Sequence, residues 1–209
     1  MLKGKTILQI GSHIGNTPND PIYGEVDETT KLILVEPVPY LFNQLKTNYK
    51  NKNKNIIFIN KAVSDFIGEI DLTIPSQINN FSNLPSWASQ LASVNKNHAQ
   101  GHLPNLIVDT IKVKTTTIDE IIKEYNISNI DLLHTDTEGH DYNILMNYSF
   151  IIKPLQILFE NKHMDGLFTK GKKYDELANK LNLLGYIKEF ENDEDTMFRL
   201  ESTPYVDVN

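Results

Sequence analysis

Hydrophobic positions along this chain follow two patterns: short apolar runs, and longer segments with an apolar residue on every helical turn. The runs predict five buried strands, because each is short and is stopped by Gly, Asn, Asp or Glu. They cover residues 6–10, 32–35, 56–59, 130–135 and 155–159. Helical spacing predicts helices over residues 39–49, 117–125, 142–148 and 173–184. This alternation predicts a mostly parallel sheet with helices on both faces.

Strict alternation of apolar and polar residues predicts further strands with one exposed face. It occurs at residues 69–74 and 111–115, and residues 186–200 predict an antiparallel hairpin with an acidic turn. The connection 11–31 contains two prolines and a glycine at 18, 21 and 24, so at most part of it is helical. The segment at about 75–109 is rich in Asn, Ser, Pro and His and is too long for an ordinary connection. We therefore predict a single domain, 1–209, with a polar insertion there.

Composition narrows the class of protein. The chain has 209 residues, of which 40% are hydrophobic, enough for one full core. The net charge is −7 and Arg199 is the only arginine, so we expect no nucleic-acid partner, which would favour a basic, arginine-rich face. The chain has no cysteine, which excludes disulfides and thiolate metal sites.

Its apolar stretches are too short or too interrupted for a signal peptide or a membrane span, so we expect a cytoplasmic protein with no membrane partner. The oligomeric state stays open.

A glycine-containing loop, residues 11–15 (GSHIG), follows the first strand, and Glu36 ends the second. Glycine lets the chain turn sharply and lets a ligand approach the backbone. A carboxylate in the place of Glu36 can accept hydrogen bonds from both hydroxyls of a ribose. The dinucleotide fingerprint G-x-G-x-x-G is not satisfied, because His13 stands at its second glycine. These features favour a cofactor that has a ribose and no phosphates, namely S-adenosylmethionine.

The chain resembles the FkbM family of S-adenosylmethionine-dependent methyltransferases over residues 7 to about 163. The matching segments, in the family's order, are ILQIGSHIGN, LVEP, NKAVSD followed by GEI, VKTTTIDEII, IDLLHTDTEGHDYNIL and ILFENKH. The resemblance implies an α/β, Rossmann-like class I methyltransferase fold, with a seven-stranded sheet that ends in an antiparallel hairpin. It also implies an O-methyltransferase that acts on a hydroxyl of a sugar, glycan or other small metabolite. A departure is His134, where many members carry lysine; by residue type it is predicted to be a hydrogen-bonded core histidine.

The predicted cofactor site combines the residues that the resemblance implies with their neighbours along the chain. The resemblance implies contacts from the loop, ribose binding by the carboxylate and adenine contacts near residues 62 and 63. The full set is Gly11, Ser12, His13, Gly15, Asn16, Glu36, Pro37, Ala62, Val63 and Asp136.

Methyl transfer to a hydroxyl needs a well-positioned acceptor and a group that helps to remove its proton. One possibility is a metal. Asp136 ends the fourth strand, while Glu160 and Asn161 end the fifth, and their oxygen atoms could hold Mg²⁺ or Ca²⁺.

The alternative to a metal is a protein base. Asp136 or His163 would then take the hydroxyl proton, while Glu138 and His140 orient the acceptor. In a third interpretation, Asp136 contacts the methionine amino group of the cofactor and Glu138 caps the following helix.

Two other functions are compatible with the fold: a nicotinamide-dependent oxidoreductase, disfavoured by His13, and a non-catalytic nucleoside-binding module. The insertion carries Trp87, the single tryptophan, together with Phe81, His98 and His102. Because an aromatic ring can stack on a sugar, we hypothesise that the insertion forms a lid over the acceptor site. The alternative is an unstructured, solvated loop.

Overall fold

The computed structural model describes residues 2–52 and 54–201. Its strands are Thr6–Ile10 (β1), Lys31–Val35 (β2), Ile56–Ile59 (β3), Ala62–Val63 (β4), Gly68–Pro75 (β5), Val108–Thr116 (β6), Leu132–Thr135 (β7), Gln156–Glu160 (β8), Tyr186–Glu191 (β9) and Asp195–Leu200 (β10). Its α-helices are Pro39–Tyr49 (α1), His98–His102 (α2), Ile118–Glu124 (α3), Asp141–Asn147 (α4) and Gly171–Leu183 (α5), and 3-10 helices cover Phe81–Asn83 and Ser86–Gln90.

Seven strands form the main sheet, in the order β3-β2-β1-β7-β8-β10-β9. The five strands from β3 to β8 are parallel, and β10 is antiparallel to both β8 and β9. The predicted seven-stranded sheet with a C-terminal antiparallel hairpin is therefore confirmed. The strand order reverses between β1 and β7, and in such sheets ligands bind beyond the carboxyl ends of the strands at that reversal.

Helices cover both faces of the main sheet, as predicted. On one face, Leu45 and Tyr49 of α1 pack against Ile7, Leu32 and Leu34. On the other face, α3, α4 and α5 pack against a larger cluster that contains alternate residues of the same strands. Because both faces are buried, the strands are apolar at consecutive positions, which is the pattern that predicted them.

The connection from β1 to β2 contains no helix: residues 11–30 form turns and bends. Asp20 organises this segment, since its carboxylate accepts the backbone N–H groups of Ile22 (2.8 Å) and Tyr23 (2.6 Å) and the side-chain amide of Gln9 (2.8 Å). Ile22 is thereby held in the core beside α1. The prolines and the glycine of this segment predicted that at most part of it is helical, and the structure contains no helix there.

The two alternating segments do not join the main sheet. They form a hairpin in which β5 and β6 pair antiparallel from Gly68–Thr115 to Pro75–Val108, with β4 alongside β6. Their apolar side chains, such as Leu72 and Val113, pack on Val38 and Leu41 at the start of α1. This small second sheet places the insertion at the tip of its hairpin.

The insertion, residues 76–107, is a structured element and not an unstructured loop. Its base is closed by a hydrogen bond from the Ser76 N–H to the Ile107 carbonyl (2.8 Å). Its two 3-10 helices and α2 enclose a small core of Leu91, Ala99 and Leu106. Within the described ranges, no helix has both the length and the apolarity needed to cross a membrane.

Candidate active site

The residues that follow the last paired positions of four parallel strands form a row across the carboxyl edge of the sheet, and three of the four are carboxylates. Val35, Ile10, Thr135 and Phe159 lie side by side in β2, β1, β7 and β8. The next residue in each strand therefore belongs to one row, which reads Glu36, Gly11, Asp136 and Glu160, and Asp195 of β10 pairs with Glu160. Neighbouring strands are about 4.8 Å apart, so this row extends over about 14 Å from Glu36 to Glu160.

A single cavity of about 630 Å³ lies over this row. Its cofactor half contains most of the predicted cofactor-binding residues: Gly11, Ser12, His13, Glu36, Pro37, Ala62 and Val63. Its other half, here called the acidic half, is lined by Trp87, His102, Asp136, Glu138, His140, Glu160, His163, Phe168, Glu194 and Asp195. The volume is in the range of small-molecule sites in proteins.

Gly11 sits where the ends of β1 and β7 approach most closely. Its φ of +81° lies in the left-handed region, and a Cβ there would overlap the backbone carbonyl of Asp136. The Gly11 N–H donates to the Val35 carbonyl (3.0 Å), so the backbone turns across β2 directly above the sheet. Only glycine combines this conformation with this close approach.

Glu36 holds the loop that follows β1. One carboxylate oxygen accepts the backbone N–H of His13 (2.9 Å) and the other accepts that of Val38 (2.8 Å). A carboxylate oxygen has a second lone pair, so each oxygen can still accept one hydrogen bond from a ligand. Burial raises the pKa of Glu36 to about 7, against the lowering effect of these two N–H groups.

His13 connects the cofactor half to the insertion. Its φ is +48°, and its ring Nε2 lies 3.3 Å from the Ser89 carbonyl, to which it donates. Burial lowers the pKa of His13 to about 4, so the ring is neutral near pH 7. Ser12 stays within the loop and donates its hydroxyl to the Gln9 carbonyl (3.2 Å).

Two residues of the predicted cofactor set, Gly15 and Asn16, do not line the cavity. Gly15 has a φ of +79° and faces α1, where a Cβ would overlap the side chains of Leu45 and Tyr49. The side chain of Asn16 accepts a hydrogen bond from the Asn48 amide (2.7 Å). Gly15 therefore permits packing against α1, and Asn16 tethers the loop to that helix.

The predicted oxygen-ligand metal site is not assembled. Asn161 donates its side-chain amide to the Asn192 carbonyl (3.2 Å) and to the Thr196 hydroxyl (2.9 Å), and it does not line the cavity. It holds the C-terminal hairpin against β8. Asp136 and Glu160 remain on the cavity without the third predicted ligand.

Three carboxyl groups of the acidic half, those of Asp136, Glu160 and Asp195, have raised pKa values. Asp136 is accessible from the cavity but deep inside it; desolvation, reinforced by the charges of Glu138 and Asp141, raises its pKa well above the usual range. Burial, then the Asp136 charge, does the same to Glu160. Burial raises the pKa of Asp195 to about 6. Such perturbed carboxyl groups in a cleft are typical of functional sites.

Three histidines and Glu138 meet at the wall of the acidic half. Glu138 Oε2 lies 2.6 Å from His98 Nε2 and 4.0 Å from His163 Nε2. The ring centroids of His98, His102 and His163 are 4.7–4.8 Å apart, so the three rings are mutual neighbours. Burial lowers the pKa values of His98 and His102 to about 4 and that of His163 to about 3, and it raises that of Glu138 to about 8.

Glu138 does not cap α4, as one interpretation of the sequence expected. The N-cap residue of α4 is His140, which makes no side-chain capping hydrogen bond, and Oδ2 of Asp141 in the first turn accepts the backbone N–H (3.2 Å) and the hydroxyl (2.7 Å) of Thr137. His140 lines the cavity and its Nε2 lies 3.0 Å from the Ser64 hydroxyl. With φ +54° at Glu138 and +97° at Gly139, the turn before α4 directs Glu138 towards the insertion.

His134 is buried in β7, as predicted, but its Nδ1 has no hydrogen-bond partner among the described residues. Burial lowers its pKa to about 4, so it is a neutral residue of the cavity floor.

Sequence reasoning missed the grouping of His98 and His102 with the residues that follow β7 and β8. The available signal was their spacing of four residues, which puts two imidazoles on one face of a helix. The contribution of Glu194 and Asp195 was also missed, because their approach depends on the pairing of β10 with β8.

Comparisons with known proteins show which family the chain belongs to. No curated protein sequence matches the chain. Among solved structures, it is similar to fibrillarin, a pre-rRNA processing protein of Methanococcus jannaschii (14% identity, TM-score 0.47, 97% of this chain and 69% of that one). It is also similar to Aeropyrum pernix fibrillarin with natively bound S-adenosyl-L-methionine (13%, 0.48, 94% and 66%). A TehB-like methyltransferase of Corynebacterium glutamicum is a third such structure (9%, 0.41, 95% and 82%).

Residues 9–188 match the methyltransferase FkbM domain. The chain therefore belongs to the FkbM methyltransferase family and is an S-adenosylmethionine-dependent methyltransferase.

Proposed function

We propose that this methyltransferase modifies a hydroxyl group of a small uncharged acceptor, such as a sugar, a glycan or another polyhydroxylated metabolite. The observation that carries the proposal is the continuity of the cavity, which runs from Glu36 past Gly11 to the accessible carboxylate of Asp136. Acceptor and cofactor can thus occupy adjacent parts of one enclosed space. The oxidoreductase and the non-catalytic module that the sequence left open have no support in the family assignment.

The cofactor half fits S-adenosylmethionine. Glu36 offers one free lone pair on each carboxylate oxygen for the two ribose hydroxyls, and Ala62 and Val63 offer an apolar wall for the adenine. The glycine at position 11 leaves the cavity side of the β1 turn free of a side chain. When bound, the cofactor supplies a methyl group that its sulfonium already activates, so the protein's main task is to position the acceptor.

The charges that line the whole cavity favour a neutral acceptor over an anionic one. Carboxylates that line the cavity outnumber lysines by seven to two: Asp20, Glu36, Asp136, Glu138, Glu160, Glu194 and Asp195 against Lys61 and Lys162. A phosphate group would find no arginine in the cavity lining to clamp it, and the carboxyl groups that are ionised would repel it. We therefore expect neither nucleic acid nor a phosphorylated metabolite as acceptor.

We assign Asp136, in its ionised form, as the proton acceptor: its raised pKa makes the carboxylate a stronger base, and the ionised fraction increases with pH. It stands between the cofactor half and Glu160 in the strand-end row, and its carboxylate is accessible from the cavity. A hydroxyl is a poor nucleophile at neutral pH, so a base within hydrogen-bond reach accelerates its attack. His140 and Glu160 lie on the same cavity and can orient the acceptor.

A methyl-transfer assay over matched acceptors tests this function. Labelled S-adenosylmethionine would be offered with neutral oligosaccharides, with the corresponding amino sugars and with the corresponding sugar phosphates. We expect label in a base-stable methyl ether on the neutral members. Incorporation solely at amines, or solely in phosphorylated acceptors, would contradict the proposal.

Glu36 should make cofactor affinity depend on pH. Its pKa of about 7 in the folded protein lies above the usual value of 4.5, so the carboxylate becomes fully ionised only as the pH rises through 7. Affinity for S-adenosylhomocysteine should therefore increase from pH 5 to pH 8, while the contribution of Glu36 to the free energy of unfolding of the free protein falls between about pH 4.5 and 7. In Glu36→Gln, affinity at pH 8 should be roughly 10- to 100-fold lower, because hydrogen bonds to a charged group contribute about 1.5–3 kcal/mol.

Isothermal titration at several pH values measures both effects. Glu69→Gln, at an exposed position of β5, is the matched control and should behave as wild type. The prediction is wrong if Glu36→Gln keeps the wild-type pH dependence.

The insertion remains our candidate lid for the acceptor. Trp87 and Phe168 line the acidic half, and the Trp87 ring lies 5.8 Å from that of His102. Stacking of Trp87 on a sugar face predicts that Trp87→Ala raises the KM for the acceptor about fivefold, since aromatic stacking contributes on the order of 1 kcal/mol. Steady-state kinetics would show this change, with the KM for S-adenosylmethionine unaffected. An unchanged acceptor KM would refute the lid.

A further inference from the structure

The histidine–glutamate cluster at the cavity wall has the composition of a transition-metal site. His98 and His102 come from α2 in the insertion, Glu138 from the turn between β7 and α4, and His163 from the segment after β8. One nitrogen or oxygen atom of each residue lies within 4.8 Å of the corresponding atoms of the other three. A tetrahedral zinc ion with bonds of about 2.0–2.1 Å sets its ligand atoms about 3.4 Å apart, so small side-chain movements would bring these atoms into range.

The pairing within the cluster leaves one buried nitrogen atom unused. His102 Nε2 is buried and has no hydrogen-bond partner among the described residues. His98 Nε2 is held against Glu138 Oε2 at 2.6 Å. A buried nitrogen without a partner is unfavourable, and a coordinated cation would satisfy it.

The hydrogen bond of His163 assigns it a different role. Its Nδ1 accepts the backbone N–H of Phe168 (3.0 Å), so the neutral ring carries its proton on Nε2. The Nε2 atom lies 3.5 Å from Glu160 Oε1 and 4.0 Å from Glu138 Oε2, so these carboxylates are the nearest acceptors for its proton once the side chains move closer. His163 is therefore placed to donate to the carboxylates around an ion and not to coordinate it, which is the usual task of a group that orients a metal ligand.

We propose that His98, His102 and Glu138 bind one divalent transition-metal ion such as Zn²⁺, with His163 as a hydrogen-bond donor beside it. Two imidazoles and one carboxylate are the ligand set of many zinc sites and leave a fourth position open. Imidazole ligands disfavour Mg²⁺ and Ca²⁺, which prefer oxygen. The ion lies at the cavity wall, because His102 and Glu138 line it, and it joins the insertion to the end of β7.

This site is distinct from the oxygen-ligand site that the sequence suggested, since it shares none of the residues Asp136, Glu160 and Asn161. It also does not depend on the acceptor being a hydroxyl. Two neighbouring carboxylates favour a cation at this site. Glu160 lies beside His163 (3.5 Å), and Glu194 forms an ion pair with Lys162 (2.8 Å), which reduces the repulsion between that lysine and a bound cation.

Metal binding to the 209-residue chain tests the proposal. Chelator-treated protein would be titrated with Zn²⁺, Co²⁺ and Mg²⁺, and bound metal would be measured by equilibrium dialysis with elemental analysis. We expect one Zn²⁺ or Co²⁺ per chain, the visible absorption of four- or five-coordinate Co²⁺, and no stoichiometric Mg²⁺. Absence of stoichiometric Zn²⁺ and Co²⁺ binding, or equal binding of Mg²⁺, would overturn the proposal.

Single variants identify the ligands. His98→Ala and His102→Ala should each weaken Zn²⁺ binding at least 100-fold, whereas His163→Gln should weaken it less than tenfold. His140 is a histidine of the same cavity outside the cluster, so His140→Ala is the matched control and should bind Zn²⁺ with the affinity of the wild type. Circular dichroism and affinity for S-adenosylhomocysteine report on folding in each variant, so that a failure of the fold or of the cofactor site is separated from a loss of metal. Wild-type binding in His98→Ala and His102→Ala would refute the site, and a 100-fold loss in His163→Gln would refute the three-ligand assignment.

Discussion

Asparagine in place of Asp136 is expected to lower kcat for methyl transfer about 100- to 10,000-fold, the range for loss of a general base. The amide has the same shape as the carboxylate but cannot take up the hydroxyl proton. The backbone N–H of Asp136, which donates to the Ile10 carbonyl (3.0 Å), is unaffected, so the end of β7 should keep its place. Affinity for S-adenosylhomocysteine should therefore change by only a few-fold.

Pre-steady-state methyl transfer, together with titration of S-adenosylhomocysteine, separates these two roles. Asp193→Asn, in the exposed turn between β9 and β10, is the control for loss of one negative charge and should retain the wild-type rate. The opposite pattern, weak cofactor binding with a normal rate at saturation, would mean that Asp136 contacts the cofactor's amino group.

Alanine at Gly11 is expected to disrupt both the fold and the cofactor half. A Cβ there would overlap the Asp136 carbonyl, and the φ of +81° is strained for any residue with a side chain. The ends of β1 and β7 would have to separate, although the Asp136 N–H bond to Ile10 holds them together. Strain and overpacking each cost about 1–3 kcal/mol, which together correspond to a decrease in Tm on the order of 5–20 °C.

Gly4→Ala separates the two contributions. Gly4 has a φ of +68°, close to that of Gly11, but no atom lies within 4 Å of a Cβ built there. Differential scanning calorimetry should give a much smaller decrease in Tm for Gly4→Ala, and only Gly11→Ala should lose affinity for S-adenosylhomocysteine. Equal effects of the two substitutions would show that backbone conformation, not the contact with β7, determines the cost.

The cofactor half was largely predictable because its signals are local. Gly11 and Glu36 each follow an apolar run directly, and a residue in that position must lie at the carboxyl edge of a parallel sheet. Gly15 and Asn16 belong to the same loop, but they do not line the cavity. The direction in which a loop turns depends on what it packs against, and α1 draws both residues away from the cavity.

The acidic half was only partly predictable. Asp136 and Glu160 end neighbouring strands, so their position in one row follows from the strand pattern. Asn161 also ends a strand, but hydrogen bonds to the C-terminal hairpin turn its side chain away. Successive side chains of a strand point to opposite faces of the sheet. The apolar pattern of the strand does not specify where the chain stops alternating at the end of the strand.

By itself, the sequence determined the main strands and helices, the family and the place of Glu36 at the carboxyl end of β2, because each depends on residues that are close in the chain. The tertiary structure alone decided where the insertion lies and which residues its side chains contact. His98 and Glu138 are separated by 40 positions, yet their side chains meet at 2.6 Å because the β5–β6 hairpin carries the insertion back over the ends of β7 and β8. A composition of Asn, Ser, Pro and His shows that such a segment is polar, but the partners of its histidines are set by the fold that carries them.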